Sequence, residues 1–493
     1  MLFNSLSFAV FFPTVFFAFF LLPTRYQWLV LLCASAYFYM AFVPWYILVL
    51  IFLILVDYGA GRAIERAPVH RRKTFLIVSI ICNLGTLFLF KYFNFFNENI
   101  AHLAHAIGWN YSIASLQLIL PIGLSFHVFQ SLSYVIEVYR GKQKAERSIG
   151  IYALYVLFFP QLVAGPIERP QHLLPQLHQV KTFDAARAFD GLTLMLWGFF
   201  KKLVIADQLA VIVDRGYADV YHADPTTLLI AVILFAYQLY CDFSGYSDIA
   251  VGTARVFGFE LTRNFERPYA SRSIAEFWRR WHISLSNWLR DYLYMPLALS
   301  GGGATRNRLY FSLFITFVLI GLWHGANWTF IALGATHGIY LVFGQISKPY
   351  REKIAKYVGL VSWPRCRAAL QVVTTFALVA VSWVFFRAPS LPDALYIISN
   401  LPAGFLGLFD VGFVATHLLT TAVLGTSVLF LALRLFAVVF MEVVEFLSRR
   451  ETSLYAYMLR LPTPLRLGAY QVVFLWILML GYFGEKMFIY FQF

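Results

Sequence analysis

The chain has 493 residues, of which 60% are hydrophobic and 13% are charged. Soluble domains carry about 25% charged residues, so this composition excludes a soluble globular protein and predicts a membrane protein with several spans. The net charge of +14 does not indicate nucleic acid, because the basic residues cluster in short loops between apolar runs. The four cysteines form no CxxC pair, and we expect neither a disulfide framework nor a metal site.

Apolar runs divide the chain into candidate spanning segments. They lie at 5–22, 26–42, 44–61, 74–90, 114–134, 149–165, 192–206, 227–257, 309–323, 327–347, 368–387, 412–440 and 468–490. Several are shorter than the ~20 residues of a spanning helix. The prolines in LILPIGLSF and FFPQLVAGPIERP predict helix breaks. The predicted fold is all-α and polytopic, with about eleven transmembrane helices plus re-entrant and amphipathic helices.

The distribution of basic loops predicts the orientation. Loops 61–73, 137–147, 347–357 and 447–466 are rich in Lys and Arg, whereas 388–410 contains neither. Because basic loops stay in the cytoplasm, we expect a bacterial cytoplasmic membrane protein with both termini on the outer side. No internal repeat suggests the inverted halves of a transporter.

The long helix predicted at 227–257 contains polar residues that a spanning helix normally lacks. In FAYQLYCDFSGYSDIAVG (235–252), Asp242 and Asp248 interrupt the apolar run, and Gln238 precedes them. Ionisable groups inside a membrane face a partner or a cavity rather than lipid. Two interpretations follow: a buried Asp–Arg pair that orders the bundle, or the polar wall of a reaction chamber.

The segment RSIAEFWRRWHISLSNWLRDYLYMP (272–296) is too charged to span a membrane. Its apolar side chains recur at helical spacing and form one stripe: Phe277, Trp281, Leu285, Trp288 and Tyr292. Arg279 and Arg290 fall opposite, with His282 at the edge of the polar side. We expect an amphipathic helix at the cytoplasmic face, either as an interfacial anchor or as a rim that binds an anionic substrate and presents His282.

The junction IGLWHGANWTF (320–330) places His324 between two tryptophans in apolar surroundings. A buried histidine tends to be neutral, and a neutral imidazole is a competent general base. We expect Gly321 and Gly325 to thin the wall so that a substrate can approach the ring. Asn327 is placed to orient the ring or a carbonyl group.

The alternative for a membrane histidine is a satisfied helix–helix contact. His337 in GATHGIY and His127 in LSFHVFQ fit that alternative better than His324 does. The chain has no GxSxG elbow and no P-loop, which argues against a serine hydrolase and against nucleotide hydrolysis.

Several motifs in order resemble the membrane-bound O-acyltransferase superfamily. The branch resembled includes the alginate O-acetylation membrane protein, the peptidoglycan and cellulose acetylation proteins and the teichoic acid D-alanylation protein. The matching motifs are QSLSYVIEVYRG (130–141), FFPQLVAGPIERP (158–170), YCDFSGYSDIAVG (240–252), FWRRWHISLSNWLRDYLYMPL (277–297), GLWHGANWTFIALGATHG (321–338) and FIYFQF (488–493).

The resemblance implies one membrane domain over 1–493 built around a funnel or tunnel. Its N-terminal helices would occupy 1–113, its catalytic core with both histidine motifs 114–347, and its C-terminal helices 348–493. His324 corresponds to the principal catalytic histidine and His282 to the second motif histidine. Acyl groups would arrive from a cytoplasmic thioester and leave on the outer side.

The resemblance also implies the substrates and partners. We expect no bound cofactor and acetyl-CoA as co-substrate, with acyl carrier protein as the other possible donor. An extracytoplasmic partner resembling an SGNH-type esterase would complete the transfer to a polysaccharide such as alginate. Membrane lipids are the remaining partners, and no nucleic acid is expected.

The resulting hypothesis is an O-acyltransferase in which His324 accepts a proton from the attacking hydroxyl or carries the acyl group. His282, Asn327 or a backbone N–H would stabilise the oxyanion. Candidate substrate-binding residues are Trp323, Asn327, Gln238, Asp242, Asn287, Arg279, Arg280 and Arg290, and the donor phosphates would also meet Arg263, Arg267 and Arg272.

Two other classes of protein remain open at this point. The first is a proton-coupled transporter in which the intramembrane His and Asp form a relay. The second is a structural scaffold, which gives no reason for His324. Within the enzyme class, D-alanyl, peptidoglycan and cellulose acyltransferases remain alternatives to alginate acetylation.

Overall fold

The computed structural model describes residues 1–300, 303, 305–410, 412, 428–484 and 488–489, and these residues form helices and loops without a β-strand. Residues 413–427 of the predicted span 412–440 lie outside the described residues. The same holds for residues 490–493 of the terminal motif FIYFQF.

The helices of the first half of the chain are α1 (Leu6–Leu21), α2 (Gln27–Met40), α3 (Ile47–Arg66), α4 (Val69–Leu87), α5 (Phe93–Ala106), α6 (Leu124–Tyr139), α7 (Ile149–Leu157), α8 (Pro170–Leu177), α9 (Ala185–Phe199), α10 (Asp207–Ala218) and α11 (Pro225–Val256). π-helical turns follow α4 at Phe88–Tyr92 and α9 at Phe200–Ala206, and short 3₁₀ turns lie at Thr24–Tyr26 and Pro44–Tyr46.

The helices of the second half are α12 (Ile274–Arg280), α13 (Ile283–Leu289), α14 (Met295–Leu299), α15 (Arg306–His324), α16 (Trp328–Ile346), α17 (Lys348–Tyr357), α18 (Pro364–Arg387), α19 (Leu391–Gly407), α20 (Val428–Ser448), α21 (Leu454–Leu459) and α22 (Thr463–Leu480). A π-helical turn lies at Arg290–Tyr294, and 3₁₀ turns lie at Pro268–Ala270 and Leu360–Ser362.

Six helices of the described residues are long and apolar enough to cross a membrane. They are Pro44–Arg66, Val69–Ala106, Pro225–Val256, Trp328–Ile346, Pro364–Arg387 and Thr463–Leu480. The all-α polytopic prediction is therefore confirmed, whereas the count of about eleven and the funnel stay predictions.

The predicted helix breaks occur at the prolines. In the run 114–134, the helix α6 begins only at Leu124, after Gly123 in a left-handed conformation. In the run 149–165, the helix α7 ends at Leu157, and residues 158–169 continue as turns and extended chain. Proline cannot donate to the helical hydrogen-bond ladder, which explains why both apolar runs contain less helix than their length allows.

The chain divides into two compact units. Unit one contains Met1–Leu196 and Tyr246–Thr262, and unit two contains Trp197–Gly245 and Arg263–Ile489. The predicted segment boundaries at 113 and 347 fall inside these units.

Unit one is organised by a buried carboxylate between α3 and α4. Asp57 accepts hydrogen bonds from the Ser79 hydroxyl (2.6 Å) and from the Asn83 amide (2.9 and 3.0 Å to its two oxygens). All three side chains are fully buried. Because lipid offers no hydrogen-bond partners, polar groups of spanning helices must pair inside the protein, and this cluster joins the two helices.

Unit two contains the hairpin of α15 and α16, which carries His324 at its turn. A Cβ atom at Gly321 would lie 2.1 Å from the carbonyl oxygen of Phe330, and one at Gly334 would lie 2.2 Å from that of Phe317. Small residues let two helix backbones approach closely in a membrane. The glycines therefore set the close approach of the two helices.

The segment 272–296 differs from its prediction. A single amphipathic helix was expected, but α12 ends at Arg280 and α13 begins at Ile283, with His282 between them in the left-handed region (φ 44°, ψ 56°). The prediction of one continuous helix is wrong. Helical spacing correctly marked the buried face, since Phe277 and Trp281 are buried, but spacing alone does not reveal a break that distant residues stabilise.

We predict that Gly321→Ala destabilises the protein, because its added methyl group meets a backbone carbonyl that has no room to move. Overpacking of this kind costs about 1–3 kcal/mol, so the melting temperature in detergent should fall and less monodisperse protein should elute from gel filtration.

The matched control is Gly344→Ala in the same helical hairpin, where a Cβ atom meets nothing within 4 Å. This control should be neutral or slightly stabilising, because alanine favours a helix over glycine by about 0.5–1 kcal/mol. Equal melting temperatures for both variants would contradict the packing role of Gly321.

Candidate active site

His324 is the last residue of α15 and lies in an aromatic environment. Its side chain is 5% exposed, and its ring centroid lies 4.9 Å from that of Trp323 and 5.5 Å from that of Phe386 on α18. Phe386 also contacts Phe330 of α16 edge-to-face at 5.3 Å. Three helices of unit two therefore position this histidine.

The glycines beside His324 do not serve the purpose that the sequence suggested. A Cβ atom at Gly325 would lie 2.1 Å from the Phe330 ring, and the space beside Gly321 holds the Phe330 backbone. The prediction that these glycines thin the wall for a substrate is wrong, because Phe330 fills the space that they leave.

His282 lies in the break between α12 and α13 and is fully buried. Its ring meets Phe243 of α11 edge-to-face at 4.7 Å. Burial lowers the pKa of His282 to about 3, because desolvation disfavours the charged imidazolium. The ring is therefore neutral at physiological pH.

The chain before α12 supports this helix break with hydrogen bonds to both helix ends. The backbone carbonyl of Asn264 accepts from the Ile283 N–H (2.9 Å), and its side-chain Oδ1 accepts from the Ser284 N–H (3.2 Å). The Glu266 N–H donates to the carbonyl of Arg280 (2.9 Å). Helix ends carry backbone groups without intrahelical partners, and residues 264–266 satisfy several of them.

Trp323 connects the two histidines of the sequence motifs. Its ring centroid lies 6.2 Å from that of His282 and 4.9 Å from that of His324. These two distances place the imidazole centroids within about 11 Å of each other. Residues on separate elements of unit two thus come together around one buried tryptophan.

His337 is the satisfied helix–helix histidine expected from the sequence. The Trp278 indole N–H donates to its Nδ1 (3.2 Å), so the ring hydrogen is on Nε2, which donates to the Ser382 hydroxyl (2.9 Å). The Ser382 hydroxyl donates in turn to the Val379 carbonyl (2.6 Å). This chain of bonds joins α12, α16 and α18.

Asp242 forms a buried ion pair. Lys202 donates to one carboxylate oxygen of Asp242 and to Asp207 (2.9 Å), and the other oxygen of Asp242 accepts from the Ile489 N–H (2.8 Å). An arginine was the expected partner if an aspartate of this helix formed a buried ion pair, but the partner of Asp242 is Lys202, in the π-helical turn at Phe200–Ala206. The sequence did contain a signal for this partner, because Lys201 and Lys202 stand inside the apolar run 192–206.

The other predicted substrate-binding residues lie at several places in unit two. Gln238 is buried on α11, and its Oε1 has no hydrogen-bond partner among the described residues. Asn287 is half-buried on α13, and Asn327 caps α16 by accepting from the Thr329 N–H (3.0 Å). Their contacts with a substrate stay predictions.

The predicted arginines differ in their partners. Arg280 pairs with Glu276 (2.6 Å), and Arg290 with Asp291 (2.8 Å). Arg279 is exposed on α12. In the described part of the chain, no group of three or more His, Cys, Asp or Glu side chains is placed to hold a metal ion.

Comparison with known proteins identifies the family. The model of the membrane-bound O-acyltransferase family (MBOAT) matches residues 148–386, which include both histidines. The probable alginate O-acetylase of Azotobacter vinelandii is 40% identical over 402 residues, covering 80% of this chain and 76% of that protein. The probable alginate O-acetylase of Pseudomonas aeruginosa is 39% identical over 400 residues, covering 80% and 73%.

A peptidoglycan O-acetyltransferase of Helicobacter pylori is 33% identical over 437 residues, covering 81% of this chain and 80% of the relative. The chain belongs to the membrane-bound O-acyltransferase family. It is an O-acyltransferase, and the transporter and scaffold alternatives have no support in these relatives.

We predict that Ser382→Ala lowers stability, since it leaves the buried Nε2–H of His337 without its acceptor. An unsatisfied buried donor costs about 1–3 kcal/mol, which should appear as a lower melting temperature in detergent.

Thr375→Val is the matched control on the same helix. The Thr375 hydroxyl donates to the Gln371 carbonyl of its own helix (2.7 Å), so its loss should change the melting temperature little. A similar fall in both variants would show that the His337 bond has no special contribution.

Proposed function

We propose that the protein transfers an acetyl group from a cytoplasmic thioester, with acetyl-CoA as donor, for O-acetylation of an extracytoplasmic polysaccharide such as alginate. The observation that carries the proposal is the pair of buried histidines around Trp323. The two alginate O-acetylases that cover most of this chain support the acetyl group and the polysaccharide.

The chemistry requires a nucleophile, a proton acceptor and stabilisation of an oxyanion. An acceptor hydroxyl attacks the thioester carbonyl, its proton passes to an imidazole, the C–S bond breaks, and the thiol leaves with the returned proton. His324 is the proposed proton acceptor, or it carries the acetyl group in a two-step transfer. A general base of this kind contributes about 10²–10⁴-fold to the rate.

The donor end of the site is proposed at the arginine-rich surface of unit two. Arg263, Arg272, Arg279 and Arg290 are exposed there, and guanidinium groups bind phosphates well. Both CoA and an acidic carrier protein are anionic, so this surface suits either donor. Acetyl-CoA is the donor that we propose first.

The acceptor side is proposed to lie outside the cell. We place the protein in the bacterial cytoplasmic membrane with both termini outside, because the basic loops favour this orientation. An SGNH-type extracytoplasmic partner would complete the transfer. Peptidoglycan is the second candidate acceptor, supported by the Helicobacter pylori relative with its 80% coverage.

We predict that His324→Ala abolishes acetylation of the cell-surface polysaccharide while the protein still accumulates in the membrane. The expected loss is at least 10²-fold, as for removal of a general base. Acetyl content is measured by mass spectrometry of the isolated polysaccharide, and the protein by immunoblot.

His222→Ala is the matched control, because His222 is an exposed histidine of unit two bonded to Asp219 (2.8 Å). This variant should acetylate normally. Normal acetylation by a stable His324→Ala protein would refute the assignment of His324.

We predict that Arg279→Glu raises KM for acetyl-CoA about fivefold, corresponding to about 1 kcal/mol, with little change in kcat. Charge reversal repels the donor phosphates, and the difference should shrink as salt rises because exposed charges are screened. The measurement is CoA release by purified protein at low and high ionic strength.

Arg215→Glu makes the same charge change at an exposed position of α10 and should leave KM unchanged. Equal effects of the two reversals would assign the result to net charge rather than to a donor site at Arg279.

A further inference from the structure

The side-chain oxygen of Asn264 determines which nitrogen of His282 carries hydrogen. Oδ1 accepts from the Ser284 N–H (3.2 Å) and from the Ser284 hydroxyl (2.7 Å), and it lies 3.4 Å from Nδ1 of His282. A backbone N–H can only donate, so the atom facing it must be the amide oxygen rather than the amide nitrogen. An oxygen that accepts cannot donate, and the hydrogen of this contact is therefore on Nδ1.

A neutral imidazole has one N–H and one lone pair. With the hydrogen on Nδ1, the lone pair of His282 is on Nε2. The ring stays neutral because it is fully buried, beside the aromatic rings of Phe243 and Trp323. A neutral His282 in this tautomer can accept a hydrogen bond at Nε2 but cannot donate one there.

The backbone around His282 is held by the same residue. His282 has φ 44°, a left-handed conformation that costs a residue with a side chain about 1–3 kcal/mol. Such strain persists only when the surroundings enforce it. The Asn264 carbonyl bonded to the Ile283 N–H (2.9 Å) and Oδ1 bonded to Ser284 enforce it on the C-terminal side of His282.

We propose that Asn264 is a positioning residue for acyl transfer that holds His282 as its Nδ1–H tautomer, so that Nε2 presents a lone pair, a hydrogen-bond acceptor, to the reacting groups. This inference rests on the proposed function and deepens it. It removes His282 from the groups that stabilise the oxyanion, because its Nε2 has no hydrogen to donate. The backbone N–H groups and Asn327 remain for that task.

The choice of substituent at residue 264 separates this role from simple helix capping. Asn264→Ala removes the acceptor for Nδ1–H. Asn264→Asp keeps an acceptor at the same place and adds negative charge, which favours the protonated ring and raises its pKa. Aspartate has the shape of asparagine and keeps an oxygen that can accept from the Ser284 N–H and hydroxyl, so the aspartate variant should keep the fold.

The experiment measures CoA release from acetyl-CoA by full-length purified protein across pH 3 to 9, per mole of folded protein. Asn264→Ala should lower kcat about 10–100-fold, as loss of a residue that orients an active histidine does in metal sites, with KM for acetyl-CoA within twofold. Asn264→Asp should recover most of kcat. Because burial holds the pKa of His282 at about 3, the acidic limb of its kcat profile should move from near pH 3 to higher pH by about 1–3 units.

Ser284→Ala is the matched control, since it removes one bond to the same oxygen without touching the His282 contact. Its kcat should stay within threefold of the unaltered protein, and its pH profile should not move. Melting temperatures of all three variants report the capping contribution separately.

Two results would overturn the proposal. One is an Asn264→Asp profile that coincides with that of the unaltered protein, and the other is an Asn264→Ala kcat that stays within threefold of it. If Asn264→Ala does not fold, the pH profile of Asn264→Asp by itself still tests whether residue 264 controls the protonation of His282. If the unaltered protein releases no CoA, the proposed donor is wrong, and the same variants are compared with an acyl carrier protein thioester.

Discussion

Polar side chains enclosed in an apolar helical bundle must find their partners inside the protein, and this constraint organises unit two. Lipid offers no hydrogen bonds, and an unsatisfied buried group is costly. Asp242 accordingly pairs with Lys202, and His337 uses both of its ring nitrogens between Trp278 and Ser382. These bonds connect helices whose apolar surfaces alone would allow several arrangements.

The structural histidine differs from the two motif histidines in its surroundings. His337 has a donor on one nitrogen and an acceptor on the other, which commits the ring to holding α12, α16 and α18 together. His282 and His324 instead flank Trp323. Through Trp278, the His337 bond also anchors the short helix that leads into His282, so a structural histidine supports the place of a functional one.

Much of the candidate site could be predicted from the sequence, because the patterns that indicate it lie within short stretches of the chain. The apolar runs identified the six long helices, and the prolines marked two breaks. His324 stood out as a polar residue between membrane runs, and the motif around His282 was unusually charged for this chain. The helix break at His282 was not predicted, because it depends on hydrogen bonds with Asn264, which lies 18 residues earlier in the chain. Helical spacing of apolar residues carries no information about such distant bonds.

Composition and the order of motifs determined the class of this protein, since hydropathy and family motifs are properties of neighbouring residues. Tertiary structure alone decided the partner of Asp242, the use of Gly321 and Gly325 for packing against Phe330, and the meeting of two histidines at Trp323. These contacts join residues far apart in the chain. Their geometry arises only when the helices pack, and no local pattern encodes it.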